Sequence, residues 1–355
     1  MKKSSILVVE DCKENIDGLR AILEQEYDVF VAINGACAIN LLKTTQPDLI
    51  LLDIGLPDMD GFDVLERLRK MKGCEKIPVI FITGEIDTYV EEYGLSQGAE
   101  DYIRKPYAPS VLLVKARNCI ERKMSREKLE LLIRQRTKEL VSSREMIIMG
   151  MSFLAERRDN GTGKHIKRIM YYTELLVNQI TKTHPNLMTP KQREEIVLYS
   201  SLHDVGKVGI PDSILLKPSR LTSEEFEVIK NHAKIGSDVL QMTADMYEDF
   251  QDHMKTAIEI AECHHEKYDG SGYPNGYVGE EIPLSARIVT LPDIYDALTT
   301  RREYKEAYLH DMARDIIING DGRTMPEHFD PIVLDAFLAV EEEFRAYSDN
   351  EVNKE

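Results

Sequence analysis

The chain contains no tryptophan, and aromatic residues make up only 7% of its 355 residues. Its five cysteines (Cys12, Cys37, Cys74, Cys119 and Cys263) include no Cys-x-x-Cys spacing and no even framework. Thiolate metal knuckles and a disulfide scaffold are thereby excluded, and reduced thiols in a cytoplasmic protein are expected. No apolar run approaches the ~20 residues that span a bilayer, and Ile6-Leu7-Val8-Val9 runs straight into acid rather than forming a signal peptide. No membrane association is expected. Positive charge is also scarce, with 45 Lys+Arg against 62 Asp+Glu and a formal net charge of −17. A nucleic-acid partner needs cations for its phosphates, so none is expected, whereas a local basic pocket for a small phosphodiester remains compatible. Glycine and proline vanish between positions 121 and 145, where 13 of 25 residues are charged, which predicts helix.

What is present is a hydrophobic fraction of 43%, ample for real cores, over a length that suits two domains and a connector. The expected division is 1–121, a helical linker at 122–148, a second domain at 149–343 and a polar tail at 344–355. In the first segment short apolar runs alternate with helical-period stretches. The runs are Ile6–Val9, Val29–Ala32, Leu49–Leu52, Val79–Ile82 and Asp101–Arg104. Five strands alternating with helices predict an α/β doubly wound, flavodoxin-like parallel sheet. Ligands of such sheets gather at the carboxyl ends of the strands. Glu10 and Asp11 fall there after the first run, Asp53 after the third, Thr83 after the fourth and Lys105-Pro106 after the fifth. Three carboxylates at one edge repel unless a hard cation joins them, and oxygen ligands suit Mg²⁺. Asp53, ending the central run, is then placed as a nucleophile toward a phosphoryl donor.

This constellation resembles the receiver domain of two-component response regulators. The resemblance implies Asp53 as phosphoacceptor and Glu10, Asp11 and Asp53 around Mg²⁺. It also implies Thr83 and Lys105 as the phosphate-sensing pair, Tyr102 as an aromatic switch, and a cognate sensor histidine kinase as partner. In the connector, Ile133, Leu140, Ile147 and Leu154 recur every seven residues, with Leu129 four before Ile133. Such a seam predicts a parallel coiled coil and a homodimer, with polar interruptions at Arg136 and Ser143; a single helix lying on the second domain is the alternative.

From Met149 the sequence predicts consecutive helices. Thr189-Pro190 opens one that ends at His203, and Thr222 with Glu225 makes a capping box for the helix approaching His232. A further apolar run, Ala257-Ile258-Glu259-Ile260-Ala261, ends in His264-His265-Glu266-Lys267-Tyr268-Asp269-Gly270-Ser271-Gly272-Tyr273-Pro274. Together with Leu202-His203-Asp204-Val205-Gly206-Lys207, this stretch resembles the HD-GYP family of metal-dependent cyclic di-GMP phosphodiesterases, from about Glu156 to Phe337. The resemblance implies an all-α HD-type domain in which His165, His203, Asp204, His232, His264, His265 and Asp293 are the metal ligands. His184, His253, His310 and His328 match no ligand position. Seven N/O ligands are too many for one ion but suit two bridged by a carboxylate, for which Asp204 is the natural candidate. Imidazole and carboxylate without thiolate favour Fe or Mn, with Zn next.

Many family members carry Arg-Asp-x-Glu-Thr-Gly-x-His before the first ligand, and that glutamate helps to hold a third metal. Here the segment is Arg158-Asp159-Asn160-Gly161-Thr162-Gly163-Lys164-His165, and Gly161 supplies no ligand. The expectation is a dinuclear site that cleaves cyclic di-GMP mainly to linear pGpG rather than on to GMP. Asp204 and Lys207 are the expected catalytic residues. Lys207, Tyr273, Arg302 and Lys305 are expected to contact substrate, with Gly270 and Gly272 shaping the tyrosine loop. GGDEF or effector proteins are further partners the resemblance brings in. Two rival functions compete with this reading. One is hydrolysis of another cyclic dinucleotide; the other is a phosphorylation-controlled scaffold that binds cyclic di-GMP without turnover.

Overall fold

The runs Ser5–Val9 (β1), Asp28–Ala32 (β2), Leu49–Asp53 (β3), Val79–Thr83 (β4) and Asp101–Arg104 (β5) are all strands, paired in parallel in the order β2-β1-β3-β4-β5. β3 and β4 are buried along their whole length, as an apolar run covered on both faces requires. The computed structural model describes residues 3–84, 94, 96–158, 163–247, 251–300 and 307–352. The chain divides into two compact units, Met1–Lys138 and Glu139–Glu355.

In the first unit α1 (Lys13–Leu23) covers one face of the sheet, and α2 (Gly35–Leu42) and α3 (Gly61–Lys70) cover the other. α2 is capped by Asn34, whose side chain accepts from the Cys37 amide, and α3 by Asp60, which accepts from Phe62. The fold is the predicted doubly wound sheet. Asp53 and Thr83 close their strands as the last residues within them rather than following them.

α4 (Pro109–Arg158) begins by burying Leu112, Ala116, Cys119 and Ile120 in the receiver core. Beyond these, Leu129, Ile133, Leu140, Ile147 and Leu154 are all exposed. Near its end Ser152 and Ala155 are buried again.

The second unit has helices and no strand among its described residues: α5 (Lys164–Thr183), α6 (Pro190–Tyr199), α7 (Asp212–Leu215), α8 (Ser223–Asp245), α9 (Gln251–Cys263), α10 (Leu284–Thr299), α11 (His310–Asn319) and α12 (Pro331–Val352). Both predicted starts are full capping boxes. Thr189 pairs reciprocally with Gln192, with Pro190 at the first helical position, and Thr222 pairs with Glu225. α5, α10, α11 and α12 enclose an aromatic core in which Tyr172 stacks on Phe344 at 4.5 Å between ring centroids. α12 is broken by a kink at Val340 (φ −126°, ψ 18°), and its second part runs to Val352 through what the sequence suggested was a polar tail, with Phe344 fully buried. Pro292 lies inside α10, which continues past it.

Candidate functional site

In the second unit the site is built where backbones cross closely. A 3-10 turn, Ser200–Leu202, follows α6 and delivers His203 and Asp204 into the interior. Gly206 then passes against α8: a Cβ there would lie 1.9 Å from the His232 carbonyl oxygen and 2.4 Å from the Gly236 nitrogen. Only glycine permits that approach, and it sets the His203-Asp204 segment beside His232. His264 and His265 leave the end of α9, and Thr290 of α10 donates from Oγ1 to the His264 carbonyl at 2.9 Å. One turn further along α10 comes Asp293.

These side chains converge. Asp204, His232, His264 and His265 each offer a donor atom within 4.8 Å of one another, and so do His165, His203 and Asp204. Asp204 belongs to both sets. His203 Nε2 lies 3.2 Å from Asp204 and 3.8 Å from Asp293. His165 Nε2 and His203 Nε2 are 3.3 Å apart, and His232 Nε2 and His264 Nε2 are 3.4 Å apart. The Nδ1 atoms of His203, His232 and His264 donate to the carbonyls of Ser200 (2.8 Å), Ile229 (2.6 Å) and Ile260 (3.0 Å). Those bonds keep a proton on each Nδ1 and turn the Nε2 atoms toward one another across the cavity. Buried ring nitrogens so arranged are a fitting donor set for cations.

The electrostatics follow the same layout. Burial, then the neighbouring histidines His265, His203 and His232, hold the His264 imidazole far below its ordinary range. Burial takes His265 down to about 4. His203 goes the other way: burial opposes its charge, but the carboxylates of Asp204 and Asp293 outweigh burial and lift it to about 9. For Asp204 burial is overcome by Lys207, whose Nζ is 2.9 Å away, and by His203, so its carboxyl stays well below the usual range.

The glycine-rich loop closes over this cluster. Tyr273 packs its ring on His265, centroids 4.8 Å apart, and the Lys230 ammonium sits 5.3 Å from the ring centre. Gly270 has φ +82°, and a Cβ on Gly272 would come 2.3 Å from the Lys267 nitrogen. Glu266 lies inside the His-His-Glu motif, yet its sequence position suggests no role. Its carboxylate is 1% exposed and accepts the main-chain N–H of Asn275 (2.7 Å), Gly276 (3.1 Å) and Tyr277 (3.2 Å). It is the internal anchor of the loop. Asp296, also unforeseen, accepts from His165 Nδ1 at 2.7 Å and from Arg168. Burial alone would raise its pKa, but those two donors hold it down at about 2. An acid one turn after Asp293 was the available signal. Gly161, Arg302 and Lys305 lie outside the described residues.

In the receiver unit Glu10, Asp11 and Asp53 bring oxygens within 4.8 Å of one another at the carboxyl edge of the sheet. Lys105 Nζ bridges Glu10 and Asp53, 2.7 Å from each. Burial disfavours its charge, but the two carboxylates outweigh this and raise its pKa. Glu10 also accepts from Asn15 Nδ2 at 2.9 Å. A Cβ on Gly61 would stand 2.6 Å from the Asp53 carbonyl, so α3 starts tightly against the end of β3. Thr83 is buried at the end of β4, and Tyr102 is half-buried on β5 with Lys115 Nζ 5.0 Å from its ring centroid. All-oxygen donors fit a hard divalent ion.

Comparison with known proteins agrees with both halves. Residues 6–117 match the response regulator receiver domain, and residues 147–333 match the HD domain. The chain belongs to the HD-GYP response regulators. A probable cyclic di-GMP phosphodiesterase of Vibrio cholerae is 38% identical over 353 residues, 97% of this chain and 79% of that protein. The cyclic di-GMP phosphodiesterase response regulator RpfG of Xanthomonas campestris is 33% identical, covering 94% and 87%. A cyclic di-GMP phosphodiesterase of Thermotoga maritima is 31% identical, covering 96% and 91%. As an HD domain, the second half implies a divalent metal, and the two ligand sets around Asp204 are where it fits. No helix among the described residues is long and apolar enough to cross a membrane.

Proposed function

We propose that this HD-GYP response regulator hydrolyses cyclic di-GMP to linear pGpG at a dinuclear centre, under control of phosphorylation at Asp53. The observation that carries the reading is the pair of ligand sets sharing Asp204, with Lys207 beside it. One ion would be held by His165, His203 and Asp204, and the other by Asp204, His232, His264 and His265, with Asp293 completing the set. Fe or Mn suits imidazole and carboxylate donors, Zn being the next choice. Bound there, the metals supply Lewis-acid polarisation of the phosphodiester and a water acidic enough to attack it near neutral pH.

The chain's own residues do the rest. Asp204 holds its charge at the centre of the cluster, oriented between His203 and His232. Lys207 compensates that charge and is within reach of a phosphate's non-bridging oxygen, where its ammonium favours the charge that builds during attack. Tyr273, seated on His265, offers a ring face and a hydroxyl at the mouth of the site, suited to guanine or ribose. Arg302 and Lys305 are assigned to the second phosphate on sequence position alone. In the receiver, Asp53 is the phosphoacceptor, Glu10, Asp11 and Asp53 hold Mg²⁺, and Thr83, Tyr102 and Lys105 read the phosphoryl group donated by a sensor histidine kinase. The exposed heptad of α4 pairs with a second copy, making the response regulator a cytoplasmic homodimer.

The test is cyclic di-GMP hydrolysis by protein purified anaerobically and supplied with Fe²⁺ or Mn²⁺, with products separated by chromatography. Formation of pGpG is expected. Binding of cyclic di-GMP with no turnover in either metal would instead make the domain a scaffold.

A further inference from the structure

The histidines of the cluster differ in what holds the far side of the ring. His203, His232 and His264 lean on carbonyls of their own helical turns. His165 leans on a side chain: its Nδ1 is 2.7 Å from Asp296 Oδ2, across 131 positions of sequence. Asp296 is 2% exposed. Arg168, one turn after His165 on α5, donates Nε to its Oδ1 and Nη2 to its Oδ2, the latter at 3.1 Å. Thr300, just past the end of α10, takes a further bond from Arg168 Nη2 at 3.0 Å and lies 3.3 Å from Asp296 Oδ2 through Oγ1. The group forms a closed tie between two elements. α5 supplies His165 and Arg168; α10 and the residue after it supply Asp296 and Thr300.

We propose that Asp296 is a positioning residue that sets the strength of one metal position, the one formed by His165, His203 and Asp204, through His165, which belongs to that set alone. An ionised carboxylate only accepts, so it keeps the imidazole proton on Nδ1 and the lone pair on Nε2, aimed at the cluster. The bond also makes the imidazole a more basic donor than a carbonyl partner does, and loss of such an outer partner typically weakens metal binding about 10–100-fold. Arg168 and Thr300 hold the carboxylate in place, which neither could do by acting on the second position, whose His232 and His264 are fixed by main chain. The inference rests on the proposed metal centre around Asp204.

The experiment uses the full chain, stripped of metal and retitrated with Mn²⁺, with bound and free ion measured after equilibrium dialysis. Asp296→Asn keeps the shape and an acceptor for Arg168, but its amide turned toward His165 forces the ring proton onto Nε2. The wild type is expected to take up two ions. The variant is expected to keep one at wild-type affinity and to bind the other about 10–100-fold more weakly. The metal-free thermal unfolding midpoint is recorded alongside. If Asp296→Asn does not fold, Thr300→Val removes one support of the carboxylate, and a weakening confined to a single ion is expected again. Two ions bound with unchanged affinity, or both weakened alike, would overturn the role of Asp296. A wild-type chain that takes up no ion at all would instead contradict the metal reading beneath it.

Discussion

Gly206 and Gly272 carry no functional group, yet each stands where the backbone of the site touches itself. At Gly272 an added Cβ would press on the Lys267 nitrogen at 2.3 Å and the Glu266 Cα at 2.5 Å, both main-chain atoms that cannot swing aside. Gly272→Ala is therefore expected to cost about 1–3 kcal/mol of stability, as overpacking does, and to displace Tyr273 from His265. KM for cyclic di-GMP is expected to rise with it; chemical unfolding and steady-state kinetics check the two parts. At this scale the sequence was legible where a residue's chemistry is rare. Histidines beside aspartate in an acidic chain stand out, and of the seven candidate ligands the resemblance implied, six fall in the two sets around Asp204, with Asp293 3.8 Å from His203. Asp296 and Glu266 were not legible for a physical reason. An acid among many acids acquires meaning only from what it is buried against, and those partners are the helix of His165 and a turn of the Gly-Tyr-Pro loop.

Among the elements, α4 carries a seven-residue apolar pattern that it leaves unburied. Its heptad residues from Leu129 to Leu154 are exposed, a burden on a lone helix and a seam for a pair. Leu140→Glu combined with Ile147→Glu is expected to convert the dimer to monomer in light-scattering measurements at micromolar concentration, with far-ultraviolet dichroism little changed. A wild-type chain that is already monomeric would remove the seam from the account. Strands and helix starts were readable because their causes are local: apolar runs for the five strands, a Thr-Pro start for α6 and a Thr-x-x-Glu box for α8. The end of α12 was not. Residues 344–352 look polar in one dimension, and only Phe344 stacked on Tyr172 and edge-on to Tyr295 explains why the helix continues.

For the molecule as a whole, one chain joins a response regulator receiver domain to a helical HD domain. The receiver half predicts that acetyl phosphate labels the wild type and leaves Asp53→Asn unlabelled, as read by intact-mass spectrometry. Residual label on the variant would move the phosphoacceptor elsewhere. Coupling between the halves predicts that beryllofluoride with Mg²⁺ alters the rate of cyclic di-GMP hydrolysis in the wild type and not in Asp53→Asn. Domain order made such coupling readable in outline, whereas its direction depends on how two states of α4 differ in energy, which a single arrangement of residues does not encode. The central claim is that the cluster around Asp204 is the hydrolytic centre. Its most direct test sets the wild type beside the double variant His203→Ala/Asp204→Ala, both loaded anaerobically with Mn²⁺, and follows pGpG from cyclic di-GMP. Product is expected from the wild type and none above background from the double variant; equal turnover by the two would place hydrolysis outside this cluster.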